Sequence, residues 1–129
     1  MNNNEKIKVF IIEDDIYISD MYKIKLEADN YEVNVASDGI EGMKRLEKDI
    51  PDVILLDIVM PKIDGFSVLK MIKENDILKN VPVILLTNLS QKENIEKGFE
   101  LGAASYIIKA HFTPSEVVKK IKEVIEKES

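Results

Sequence analysis

The chain has 129 residues and a formal net charge of −6, the size of one domain with a proper core and the wrong sign for a face that holds nucleic acid by itself. It contains no cysteine, which excludes disulfides, thiolate metal sites and cysteine nucleophiles. No apolar run reaches the about 20 residues that span a bilayer, and the polar start Met1-Asn2-Asn3-Asn4-Glu5-Lys6 lacks a signal peptide's apolar stretch, so the expectation is a cytoplasmic protein without a membrane partner.

Short apolar runs alternate regularly with amphipathic segments. Val9-Phe10-Ile11-Ile12 reads as a buried strand, Glu32–Ala36 as a weaker one, then Val53-Ile54-Leu55-Leu56, Val83-Ile84-Leu85-Leu86 and Tyr106-Ile107-Ile108. The first, third and fourth are continuously apolar, as parallel strands covered on both faces are. Between them lie helical segments. Ile18, Met21, Tyr22 and Leu26 share one face of the first, and Asn30 suits a left-handed residue after it. Asp38 and Asp64 read as N-caps, Ser90 with Glu93 as a capping box, and Thr113-Pro114-Ser115-Glu116 as a helix start combining cap, proline and reciprocal acid. The pattern is α/β: a (βα)5 doubly wound three-layer sandwich on a five-stranded parallel sheet. It predicts a polar tail over 1–6 and one domain over 7–127, with no output domain in the chain.

Ligands of open parallel sheets bind beyond the carboxyl ends of the strands. Glu13-Asp14-Asp15 follows the first strand, Asp57 the third, Thr87 the fourth and Lys109 the fifth. All these polar residues fall on one rim. Crowded carboxylates recruit a hard divalent cation; an aspartate is an accepted nucleophile for phosphoryl groups; and a nearby lysine neutralises the transferred charge. Each residue alone has a plainer reading. The acids could cap a helix, Asp57 could open the turn before Pro61, Thr87 is a common strand residue and Lys109 could be a solvated strand end. The functional reading rests on all four meeting at one edge.

At this point the sequence resembles the receiver domains of two-component response regulators. The resemblance lies in Ile11-Ile12-Glu13-Asp14-Asp15, in Leu55-Leu56-Asp57-Ile58-Val59-Met60-Pro61-Lys62-Ile63-Asp64-Gly65, in Pro82-Val83-Ile84-Leu85-Leu86-Thr87 and in Gly102-Ala103-Ala104-Ser105-Tyr106-Ile107-Ile108-Lys109. It implies a flavodoxin-like sheet of order 2-1-3-4-5. It also implies phosphorylation of Asp57 by a histidine kinase or phosphotransfer protein. Mg2+, or Mn2+ in its place, would be bound by Asp14 and Asp57 directly, by Glu13 through water and by the Val59 backbone carbonyl. Lys109 would contact the phosphoryl group, Thr87 would move toward it, and Tyr106 would turn inward. Those movements would remodel the surface of the fourth helix, fifth strand and fifth helix for a downstream protein or output domain. Packing alone is the rival role for Tyr106.

Several residues depart from the family's pattern. Ala110 stands where a proline, commonly cis, usually follows the lysine; a cis bond before a non-proline residue costs about 3 kcal/mol, so a trans Lys109–Ala110 bond and a repacked loop through His111 and Phe112 are expected. Asn88 stands where a very small residue is usual, either narrowing phosphoryl access or donating a hydrogen bond. Val59 and Leu89 are apolar where polar residues help a hydrolytic water, which predicts slow self-dephosphorylation. Ile16, Tyr17 and Ile24 widen the apolar face of the first helix, a possible kinase dock with core closure as the alternative. Ala104-Ser105 argues against a salt-bridged dimer, so a monomer is expected before phosphorylation.

Two rivals complete the reading. A Mg2+-dependent phosphatase would want a second aspartate where Val59 stands, so no enzyme activity beyond self-phosphorylation and slow self-dephosphorylation is expected. A degenerate receiver, serving only as an interaction module, would not need the intact set Glu13, Asp14, Asp57, Thr87 and Lys109.

Overall fold

The computed structural model describes residues 6–128, so the predicted tail lies, save for Lys6, outside the described residues. The elements run β1 (Lys8–Ile12), α1 (Ile16–Ala28), β2 (Glu32–Ala36), α2 (Gly39–Leu46), β3 (Val53–Leu56), α3 (Gly65–Glu74), β4 (Val83–Thr87), α4 (Lys92–Glu100), β5 (Ser105–Ile108) and α5 (Pro114–Glu128), with a 3-10 turn over Lys109–His111. All strand pairs are parallel and the order is β2-β1-β3-β4-β5, as the resemblance implied. Among the described residues no helix is long and apolar enough to cross a membrane.

Alternation along the strands splits the core in two. Val9, Ile11, Leu55 and Ile84 point to one face, where Tyr22 and Leu26 of α1 and Val117 and Ile121 of α5 cover them. Phe10, Ile12, Ile54, Leu56 and Leu85 point to the other, against Leu46, Leu69 and Ile72. Burying each such side chain contributes about 1.5–3 kcal/mol. Both sheet faces are therefore spoken for, and the polar ends of the strands are what remains for chemistry.

Helix ends follow local chemistry. Asp38 accepts from the Glu41 N–H at 2.8 Å and Asp64 from the Ser67 N–H at 3.0 Å. Thr113 and Glu116 cap each other's backbone N–H at 2.8 and 3.2 Å. Asn30 takes a left-handed φ of 70°. Two expectations are corrected. Ser90 and Glu93 form no capping box: Gln91 holds the cap position of α4 without a side-chain bond, because Leu89 is tied to Thr87 and Tyr106 and the helix starts two residues past Ser90. Met21 is exposed, and Ser19 takes the buried place beside Tyr22 and Leu26, its hydroxyl satisfied by the Ile16 carbonyl.

Candidate functional site

The sheet ladder continues one rung past its carboxyl edge. The Asp57 N–H donates to the Ile12 carbonyl at 3.0 Å, and the Glu13 N–H to the Ala36 carbonyl at 3.1 Å. Glu13 and Asp57 are thereby held side by side, and both are buried. Each divides its two oxygens. Glu13 takes the Asp15 N–H on one and the Lys109 ammonium, at 2.5 Å, on the other. Asp57 takes the Ile58 N–H at 2.7 Å on one and Lys109 at 3.1 Å on the other. Asp14 is exposed beside them. One carboxylate oxygen from each of Glu13, Asp14 and Asp57 lies within 4.8 Å of the others.

Three formal negative charges thus meet one lysine. Burial pushes the Glu13 carboxyl up to about 7; the Lys109 hydrogen bond opposes this and the Asp57 charge adds to it. For Lys109, burial works to lower its pKa, but the bond to Glu13 and the charge of Asp57 outweigh it and the net shift is upward. The two shifts pull in opposite senses for the ion pair. Lys109 stays charged, because two carboxylates contact it, and Glu13 is the member held on sufferance in a site still rich in negative charge.

The remaining predicted residues are brought to the same edge. Thr87 is buried, and its Oγ1 accepts a long 3.4 Å bond from the Leu89 N–H. Tyr106 is half-buried and donates to the Leu89 carbonyl at 2.7 Å. Asn88 accepts through Oδ1 from the Ala110 N–H at 3.0 Å. No peptide bond among the described residues is cis; the Lys109–Ala110 bond is trans, as expected, and the loop winds into the 3-10 turn with Phe112 against the core. Val59 sits in the bend after Asp57 with its side chain exposed. Ile16, Tyr17 and Ile24 lie apart from the rim's interior, 64%, 85% and 69% exposed, so they do not close the core edge.

Two glycines matter more than the sequence reading recognised. A Cβ on Gly65 would lie 2.2 Å from the Asp57 carbonyl oxygen, and the Gly65 N–H donates to the Ile58 carbonyl at 2.8 Å. The start of α3 is pressed against the backbone of Asp57 and fixes it from below. A Cβ on Gly98 would meet Leu85 at 2.7 Å and the Tyr106 ring at 3.1 Å, so α4 rests directly on Tyr106. The available signal was each glycine's presence in a helix, where its propensity is poor.

Fold and rim together define the class: a doubly wound α/β module with an acid cluster and one lysine at the carboxyl edge of its sheet. The chain belongs to the response regulator receiver domain family of two-component signalling, whose profile matches residues 9–122. It is similar to a putative response regulator from Chloroflexus aurantiacus (TM-score 0.88, 30% identity, 95% of this chain and 99% of that one) and to the chemotaxis protein CheY4 of Vibrio cholerae (TM-score 0.87, 31% identity, 93% and 99%). Among curated proteins it is 36% identical to the DNA-binding dual master transcriptional regulator RpaA of Synechocystis, over 92% of this chain and 48% of that protein. It is 34% identical to the alkaline phosphatase synthesis transcriptional regulatory protein PhoP of Bacillus subtilis, over the same shares. The chain spans about half the length of the curated relatives it matches.

Proposed function

We propose that Asp57 accepts a phosphoryl group from the phosphohistidine of a histidine kinase or phosphotransfer protein. One carboxylate oxygen attacks phosphorus, the P–N bond breaks, and the imidazole leaves with the electron pair and is protonated. The observation that carries this reading is the Lys109 ammonium held 3.1 Å from Asp57 and 2.5 Å from Glu13. A cation already sits where phosphoryl oxygens would arrive, and preorganised charge of this kind lowers the barrier without reorganisation.

The donor set also fits Mg2+, or Mn2+ in its place. It is made of oxygens alone, and three carboxylates against one lysine leave a formal charge of −2, which a hard divalent ion balances. Glu13, Asp14, Asp57 and the Val59 backbone carbonyl would hold it. When bound, the ion supplies charge neutralisation for the phosphoryl oxygens.

Signalling follows from the weaker bonds nearby. Thr87 gives up only a long bond to Leu89 if its hydroxyl turns to the phosphoryl group. Leu89 is also the acceptor for Tyr106, so movement of that loop frees the tyrosine ring over Gly98 of α4. New charge-assisted bonds then bias a two-state equilibrium and remodel the α4–β5–α5 surface for a downstream protein or an output domain. Apolar Val59 and Leu89 flank the site and give slow self-dephosphorylation. The exposed Ile16, Tyr17 and Ile24 of α1 form the kinase-docking face, which Ile24→Glu would weaken as a slower transfer from the kinase. The chain works in the cytoplasm as a monomer until phosphorylated, without binding nucleic acid itself.

The test is incubation with acetyl phosphate and Mg2+, followed by intact-mass measurement. A phosphate adduct that is absent in Asp57→Asn is expected. Turnover of acetyl phosphate without an adduct would point instead to a phosphatase, and neither adduct nor turnover to an interaction module.

A further inference from the structure

Asn88 and Ala110 lie on neighbouring loops, and one hydrogen bond joins them. Thr87 and Ile108 are the last register partners of β4 and β5, so Asn88 and Lys109 leave the sheet side by side. The Asn88 Oδ1 then accepts from the Ala110 N–H at 3.0 Å. The side chain acts as one more rung after the backbone ladder ends. Both partners are required: an alanine or glycine at position 88 has no side-chain acceptor, and a proline at 110 has no N–H to give. These are two of the departures that the sequence displays, and the structure makes them a matched pair.

The bond falls one residue past Lys109. Strand β5 fixes the lysine backbone on its amino side, and Asn88 fixes it on its carboxyl side, at the first peptide of the 3-10 turn. Between those two anchors the side chain, only 11% exposed, bridges Glu13 and Asp57. We infer that Asn88 is a positioning residue for Lys109: its hydrogen bond to the Ala110 N–H holds the lysine backbone where the ammonium spans Glu13 and Asp57, and it ties the Thr87 loop to the Lys109 loop. This rests on the phosphoryl-acceptor reading above.

Two measurements on the full chain test it. The first is amide hydrogen exchange at Ala110 by NMR. Asn88→Ala should speed exchange there by about three- to tenfold, the scale of one net hydrogen bond, and leave Val9 and Leu55 unchanged. The second is the rate of adduct formation from acetyl phosphate at saturating Mg2+. Asn88→Ala and Ala110→Pro should each slow it by a similar factor, the double variant should be no slower than either single one, and Mg2+ affinity should be unaltered. Ala110→Gly keeps the N–H and should keep the wild-type rate, so the inference stays testable even if the proline variant folds poorly. Unchanged exchange at Ala110 in Asn88→Ala, additive losses in the double variant, or an Ala110→Gly protein as slow as Asn88→Ala would overturn it. Absence of any adduct in the wild type would overturn the acceptor reading, while the exchange result would still decide whether the bond exists. An adduct formed at the wild-type rate by Asn88→Ala would overturn the positioning role alone.

Discussion

The two ends of the sheet carry similar charged residues and use them differently. At the amino end Lys8 donates to Asp49 at 2.9 Å through its ammonium and to Asp52 at 2.7 Å through its backbone N–H. The Lys8–Asp49 pair is exposed, with side-chain accessibilities of 40% and 54%, and water screens it. At the carboxyl end one lysine faces Glu13 and Asp57 within a cluster of three carboxylates, and Glu13, Asp57 and Lys109 are largely buried. Wet charge, screened by solvent, is a surface feature. Dry, crowded charge lowers stability unless something binds.

The sharpest way to break that contrast is Gly65→Ala. Its Cβ would collide with the Asp57 carbonyl, and because the obstacle is backbone, neither side can yield cheaply. A loss of about 2–3 kcal/mol in urea unfolding, together with slower adduct formation, is expected. Near-wild-type values for both would mean that α3 does not hold Asp57. Next in size is Asp14→Asn. Relieving like-charge repulsion should stabilise the metal-free protein slightly and abolish the Mg2+-induced gain. In the wild type a gain of about 1.4 kcal/mol is expected at ten times the dissociation constant, and EDTA should remove it. Thermal melts with and without Mg2+ give both quantities.

The amino end should respond far less. Lys8→Met is expected to shift the unfolding midpoint little, since exposed pairs contribute little, and to leave phosphorylation untouched. A larger loss would erase the distinction between the ends. The smallest effect is at Glu116, whose carboxyl is held below its usual value by the Thr113 backbone N–H and hydroxyl. A lowered pKa in the folded state means that this contribution is present above the unfolded value near 4.5 and fades as pH falls through the folded one. Glu116→Gln should therefore flatten the acid limb of the stability–pH profile slightly, while changing little at pH 7.

Much of this was legible in the residues. Continuous apolar runs gave β1, β3 and β4, because strands covered on both faces need no alternation; β2 and β5 were read from the weaker Glu32–Ala36 pattern and the short Tyr106-Ile107-Ile108 run. The caps at Asp38, Asp64 and Thr113 were readable because a cap is a contact of three residues' reach. Glu13, Asp14, Asp57, Thr87 and Lys109 were legible as a set, since each ends an apolar run and a parallel sheet delivers those ends to one edge. What escaped was tertiary. Ser90 looked like a cap, but Leu89 donates to Thr87 and accepts from Tyr106, and the helix starts later. Met21 fits the periodicity of α1, but the sheet above has room for Ser19 instead. The pressure of Gly65 on Asp57, and the bond from Ala110 to Asn88, join residues 8 and 22 positions apart, a distance at which sequence spacing carries no signal.

Locating the phosphoryl group tests the role of Asp57 directly. The protein is treated with acetyl phosphate and Mg2+, the acyl phosphate is reduced with borohydride, and the digested peptides are sequenced by mass spectrometry. Reduction of the side chain at residue 57 alone is expected, converting that aspartate to homoserine. Reduction at Glu13 or Asp14 instead, or a phosphoryl group retained on His111, would contradict it.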